Sequence, residues 1–162
     1  MLNKDNKHAY LVMVHKNSYV LETLLKQLDF ENNDIYIHVD AKCVDFDWDK
    51  YHQLVKKSKI FEVKNRISVF WGHYSQIEAE LSLLSAAYNN GHYHFYHLLS
   101  GQDLCLKNQE EIHKFFRRNS GKVFVNSINV STDTNYNFNF SNRIYGRVSV
   151  KRIFVKLNIK NR

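Results

Sequence analysis

The chain lacks proline altogether, against an average usage of about 5%, so no proline-rich linker divides its 162 residues. It holds two cysteines, Cys43 and Cys105, too few for a disulfide scaffold and without metal-type spacing. No apolar run approaches the roughly 20 residues that span a bilayer, which excludes a membrane-spanning helix. Met1 to Lys7 is polar and charged, with no apolar stretch of the kind a secretory signal needs. A reducing, cytoplasmic location is the expectation that follows.

What is present is the composition of a globular domain: 44% hydrophobic, 24% charged and 14% aromatic, with a mean hydropathy of -0.48. That suits one domain with a sizeable core and argues against disorder. An excess of one charge is also missing over most of the length, since residues 1–142 carry 16 Lys and Arg against 16 Asp and Glu. The net charge of +7 therefore belongs to the end of the chain, where Arg143, Arg147, Lys151, Arg152, Lys156, Lys160 and Arg162 follow the last acid, Asp133. Neutrality elsewhere argues against nucleic acid, because phosphate binding needs clustered Lys and Arg on a face of the domain.

His8 to His15 is a short apolar run rich in β-formers and reads as a buried strand. Asn17 or Ser18 can cap the helix that follows, where Val20, Leu21, Leu24, Leu25 and Leu28 recur at helical spacing up to Asp29. Asp34 to Val39 is a second strand, ending at Asp40. Trp48, Tyr51, Leu54 and Val55 mark a short amphipathic helix, and an apolar stretch follows at Ile60 to Val63. Ser75 with Glu78 reads as a capping box opening a longer helix, with Ile77, Leu81, Leu84 and Tyr88 on its core face. Asn90-Gly91 signals a turn and Tyr93 to Leu99 a further strand. Asn108 with Glu111 repeats the capping pattern ahead of Ile112, Phe115 and Phe116. Gly121 follows that helix, and Lys122 to Val125 is expected as one more strand. This alternation implies an α/β fold with an open, mostly parallel sheet and helices on both faces. After Asn126 the residues Asn, Ser and Thr dominate. In the basic tail Ile153, Val155, Leu157 and Ile159 alternate like a strand, and a basic helix fits as well.

In such sheets ligands bind beyond the carboxyl ends of the strands, which here carry His15, Asp40, Ser100, Gly101 and Asp103. Each also has a plain structural role open to it, in satisfying loop backbone. No GxGxxG and no GxxxxGK[ST] occurs, which argues against dinucleotide and P-loop sites. Gly72 could let a phosphate approach the helix at Ser75, or simply end a loop. Asp45, Asp47 and Asp49 make two overlapping DxD patterns of the kind that hold a divalent cation. They follow a loop rather than an apolar strand, which favours helix capping. His92 and His94 would share one strand face and His97 the other, so the three do not make a zinc site. No GxSxG elbow is present, and neither cysteine lies in a catalytic motif.

Four segments are more telling together: HAYLVMVHKN (8–17), DIYIHVD (34–40), RISVFWGHYSQIEAELSLL (66–84) and YHLLSGQDLCLKNQEEIHKFF (96–116). In order and spacing they resemble the core-2/I-branching β-1,6-N-acetylglucosaminyltransferase family, glycosyltransferase family 14, which includes the peptide O-xylosyltransferases. The combination of HVD, WGxxSQI and LLSGxDLxLK is far more specific than any one piece. The resemblance implies a GT-A-like (Rossmann-like) domain that binds a UDP-sugar. It implies inverting transfer of the sugar, N-acetylglucosamine first among candidates, to the hydroxyl of a glycan or lipid-linked acceptor. A bacterial enzyme of polysaccharide or glycoconjugate synthesis suits a chain without an anchor.

By the same resemblance His15, Asp40 and Arg66 would contact the nucleoside, and Trp71, Gly72 and Ser75 would form the next wall of the donor site. Ser100, Gly101 and Asp103 would lie near the donor sugar and the acceptor. The family works without a bound metal, so no cofactor is implied beyond the UDP-sugar substrate. Its catalytic base, a glutamate later in the domain, has no match before Arg162, and Glu78 and Glu111 read as capping residues. Cys105 stands where the family often has proline. Residues 1–126 are thus expected to form the nucleotide-sugar-binding part. Residues 127–162 are expected as a polar linker and basic tail leading into a further half, and the chain as a weakly active or inactive form. The alternative is a non-catalytic module, derived from a transferase half, that binds a nucleotide-sugar or a partner. The tail could touch anionic lipid at the inner face of the membrane, at about 1 kcal/mol per Lys or Arg, or be a solvated end.

Overall fold

Strand β1 (His8–Val14) has six of its seven residues buried, as its unbroken apolar run requires of a strand packed on both faces. A computed structural model describes residues 6–124 of the chain. The chain divides into two units, Met1–Gly121 and Lys122–Arg162, and every element described here belongs to the first. β1 pairs on one side with β2 (Asn33–Val39) and on the other with β4 (Phe95–Ser100), while β3 (Lys59–Glu62) extends the sheet beyond β2. All pairings are parallel and the order is β3-β2-β1-β4.

The alternation of β1 side chains divides them between two cores. Tyr10, Val12 and Val14 pack with Leu21, Leu24, Leu25 and Leu28 of α1 (Tyr19–Leu28) and Tyr51 of α2 (Trp48–Leu54). Ala9 and Leu11 pack on the other face with Leu83 and Ala87 of α3 (Ser75–Asn90). α4 (Gln109–Arg118) sits on the first face, where His113 and Phe116 meet His8 and His97. The open parallel sheet with helices on both faces is therefore the one expected. No described helix is long and apolar enough to cross a membrane. The linker and basic tail at 127–162 lie outside the described residues, as does the alternation from Ile153 to Ile159.

Three helix starts follow their capping signals. The Ser18 hydroxyl accepts the Leu21 N–H at 3.1 Å and caps α1. Asp47 accepts the Lys50 N–H at 3.1 Å and caps α2, so one acid of the DxD stretch is spent on the helix. Asn108 accepts the Glu111 N–H at 2.9 Å at the start of α4.

α3 departs from expectation twice. Tyr74, not Ser75, occupies the N-cap position, in helical conformation and without a side-chain cap. The Ser75 hydroxyl instead accepts the Phe70 N–H at 2.9 Å, serving the preceding loop rather than the helix. The core face is made by Ser75, Ala79, Leu83 and Ala87, leaving Leu81 and Tyr88 exposed. Small residues let the helix backbone lie close to the sheet, while of the residues expected on the core face Ile77 is half-buried and Leu84 is half-buried against the same cluster. The strand expected at Lys122–Val125 is also absent from Lys122 to Phe124, and Val125 lies outside the described residues. Strands exist by pairing, and β4 pairs only with β1 among the described strands.

Under α4 lies a layer of buried imidazoles. His8 and His113 are fully buried and stack with ring centroids 3.7 Å apart. His97 Nε2 meets His8 Nδ1 at 3.0 Å, and His113 Nε2 meets Asn33 Oδ1 at 2.7 Å. The Gln109 side-chain oxygen accepts from both the Tyr10 hydroxyl and the Asn33 amide. Burial drives the histidines well below their ordinary values, His8 to about 2 and His97 and His113 to about 4, helped for His8 by His113 and His97 and for His113 by Arg117. All three are neutral in the fold, whereas the unfolded chain takes up their protons near pH 6.5. Stability is accordingly full above pH 6.5 and declines as pH falls towards 4, by up to about 1.4 kcal/mol per pH unit for each histidine. Thermal unfolding followed by circular dichroism should show the midpoint falling steadily from pH 7 to pH 4.5, with a shallower slope in His113→Gln. A midpoint independent of pH across that range would contradict the neutral imidazole layer.

Candidate functional site

The chain runs from β1 outward through β2 to β3 and then returns to place β4 on the other side of β1. The direction reverses between β1 and β4, and the crevice at the carboxyl ends of such strands is where open α/β sheets take ligands. A cleft of about 470 Å³ opens there. Its floor is made by Met13 and His15 at the end of β1, His38 and Asp40 at the end of β2, and Ser100 at the end of β4. Its wall comes from the segment between β3 and α3, through Val69 and Trp71, with Lys42 and Gln76.

A larger cleft of about 670 Å³ lies between the end of α1 and the start of α4. Several of its polar groups serve the fold: the Cys105 N–H and carbonyl both pair with the Gln27 side chain, Asp29 accepts the backbone N–H groups of Lys56, Lys57 and Ser58, and Asn108 caps α4. The strand-end cleft lies at the switch point of the sheet and is the candidate site.

That wall is a loop, and side chains hold it to the strand ends. Arg66 donates from Nε to the Val39 carbonyl at 3.1 Å and from its terminal nitrogen to the Asp40 carbonyl at 2.7 Å and to the Cys43 carbonyl. The Ile67 N–H donates to His38 Nε2 at 3.0 Å, which fixes that nitrogen as the unprotonated one. Burial lowers the His38 pKa, keeping the ring neutral and able to accept. The Gly72 N–H donates to Gln76 Oε1 at 3.0 Å, and Gly72 has a φ of 71°, a conformation that disfavours any side chain. On the floor, the Asp40 N–H donates to the Val14 carbonyl at 2.7 Å. Its carboxylate accepts the Lys42 N–H at 2.9 Å and lies 3.4 Å from the Lys42 ammonium.

Of the nine residues expected here, His15, Asp40, Trp71 and Ser100 line the cleft directly. The other five are not among its lining residues. Arg66 spends its guanidinium on the three carbonyls, Gly72 turns the wall, and Ser75 anchors Phe70. Asp103 accepts the Ser100 N–H at 2.7 Å and shapes the turn after β4. Gly101 is buried and its N–H donates to the Met13 carbonyl at 2.7 Å. His38, Lys42 and Gln76 line the cleft without having been singled out. His38 and Lys42 flank Asp40 at spacings of two, a signal visible once the strand end is known. Gln76 stands in the WGxxSQI motif and His38 in HVD, but the bonds that give them a role appear only in the fold.

The cleft thus presents a widely exposed indole, a carboxylate, an imidazole and a hydroxyl around an open strand end. Such a set suits a ligand with a flat ring and several hydroxyls. The family model for the Core-2/I-Branching enzyme matches residues 8–156. The chain belongs to the Core-2/I-Branching enzyme family. No curated protein matches it. Membership makes it a glycosyltransferase, of a kind that joins a nucleotide-sugar donor to a glycan acceptor. In this Core-2/I-Branching chain, the SGxDL motif works first through packing. A Cβ added at Gly101 would lie 3.1 Å from Val14 Cγ2 and 3.4 Å from the Met13 carbonyl oxygen. Gly101→Ala should cost about 1–3 kcal/mol of stability, measured by urea unfolding, because the strand end cannot move aside without shifting the cleft floor. An unchanged unfolding midpoint would show that the β4 end yields freely.

Proposed function

We propose that this chain binds a UDP-sugar in the strand-end cleft. On this reading it serves inverting transfer of that sugar, N-acetylglucosamine first, to the hydroxyl of a glycan or lipid-linked acceptor. The observation that carries the reading is the coincidence of the family match with a cleft at the switch point of the sheet. Trp71 offers a face for the uracil ring, Asp40 a carboxylate for ribose hydroxyls, and Ser100 a hydroxyl on the side where β4 ends. His15, exposed at the end of β1, completes the nucleoside end.

Inverting transfer needs a base for the acceptor hydroxyl, an in-line anomeric carbon and positive charge for the leaving diphosphate. Asp40 is the one carboxylate among the lining residues of the cleft, and it is already held by Lys42. The described cleft is therefore assigned donor binding, with the base sought outside the described residues. Donor binding is read as independent of a divalent cation, since Asp47 commits its carboxylate to α2. A lipid-linked acceptor in polysaccharide synthesis would suit peripheral contact of the basic segment at 143–162 with the membrane.

Calorimetric titration with UDP is the test. Equal affinity in magnesium and in EDTA is expected, with Asp40→Asn weakening binding roughly ten- to hundredfold through loss of charge-assisted hydrogen bonds. Binding that requires magnesium would return Asp45 to Asp49 to a cation role. A folded protein that binds no UDP would overturn the donor-site reading.

A further inference from the structure

Lys42 stands two residues beyond Asp40, and its side chain touches three groups at once. The ammonium lies 3.4 Å from Asp40 Oδ2, donates to the Val69 carbonyl and sits 4.3 Å above the centroid of the Phe70 ring. Its own backbone N–H donates to Asp40 Oδ1 at 2.9 Å. One residue therefore grips both oxygens of the carboxylate on the cleft floor and two successive residues of the wall. The other ties hold the two ends of that wall and the Phe70 backbone. Arg66 and His38 hold its beginning at Arg66–Ile67, and Ser75 and Gln76 hold the Phe70 and Gly72 amides from the helix side. Lys42 joins the middle of the wall to the strand end. Asp40 is buried while Lys42 is half exposed, so the ammonium works at the mouth of the cleft.

We infer that Lys42 is a positioning residue of the donor site: it aims the Asp40 carboxylate and draws the Val69–Trp71 wall over the nucleoside end. The inference rests on the donor-binding reading above for its ligand, but not for the wall itself. An ammonium in a nucleotide cleft has an obvious rival role as a direct phosphate ligand, and the two leave different signatures. A clamp acting through Asp40 and the wall changes affinity for uridine, UMP and UDP by one common factor. A direct phosphate contact costs more with each phosphate added, since each adds charge for the ammonium to meet.

The experiment compares the wild-type chain with Lys42→Met and Lys42→Arg. Each is titrated with uridine, UMP and UDP, and amide hydrogen exchange is followed over residues 67–74 without ligand. Lys42→Met should weaken all three ligands by a similar factor, about five- to tenfold, the scale of one half-exposed ion pair with a cation–π contact. Exchange over 67–74 should speed up several-fold while that of β1 and β2 stays unchanged, and Lys42→Arg should restore most of both. A loss that grows from uridine to UDP overturns the inference in favour of phosphate contact. Unchanged exchange over 67–74 in Lys42→Met overturns it as well. If the wild-type chain binds none of the three ligands, the donor-site reading fails, and the exchange measurement by itself decides whether Lys42 holds the wall.

Discussion

Where β2 stops at Val39 its backbone leaves the ladder, and each polar group beyond must find another partner or be left unpaired beside a cleft. Arg66 answers most of that demand. Its planar fork of donors reaches three carbonyls that no strand is left to pair, and a lysine with a single point of charge could not span them. The reverse bond, from the Ile67 N–H to His38, ties the loop to the strand from the other direction. These bonds turn the segment between β3 and α3 from a free loop into a wall. Trp71 then has a place as well as a ring, and Asp40 has something opposite it.

The sheet distributes its tasks along the strand axis. At the amino ends, rings and buried polar groups lock together: the neutral imidazole layer beneath α4, and the chain from the Asp34 carboxylate, which Lys7 also meets at 3.2 Å, through Tyr93 and Tyr36 to Asn90. At the carboxyl ends, charge appears, in Asp40, Lys42 and Arg66, and solvent reaches it. Contacts among neutral imidazoles are insensitive to ionic strength, while a half-exposed ion pair such as Lys42–Asp40 or Lys7–Asp34 is screened by it.

The strands and most helix starts were legible because their signals are local. Continuous apolar runs mark β1 and β2, and Ser18, Asp47 and Asn108 each bond to an N–H three residues on. The face of α3 was not legible, since it packs through Ser75, Ala79 and Ala87, residues that carry little hydrophobic signal. The candidate site was legible in part. His15, Asp40 and Ser100 announce themselves at strand ends, and Trp71 through the family resemblance. The supporting roles of Arg66 and Gly101 depend on bonds between distant parts of the chain, and no local pattern encodes a bond that spans 27 residues; the Ser75 bond to Phe70 is local but runs back into the loop instead of forward into the helix. Lys42 went unnoticed for a related reason: its importance comes from Val69 and Phe70, which look like ordinary loop residues in the sequence.

The anchors of Arg66 are main-chain atoms, and a carbonyl is common to every residue type. Val39 and Cys43 can drift to any residue that fits the core and still present the same oxygen at the same place. Arg66 has no such freedom, because no other side chain carries a fork that fits all three positions. Tolerance to substitution in this part of the molecule is thus lopsided: the anchored side can vary in its sequence, while the anchoring side is held to one amino acid.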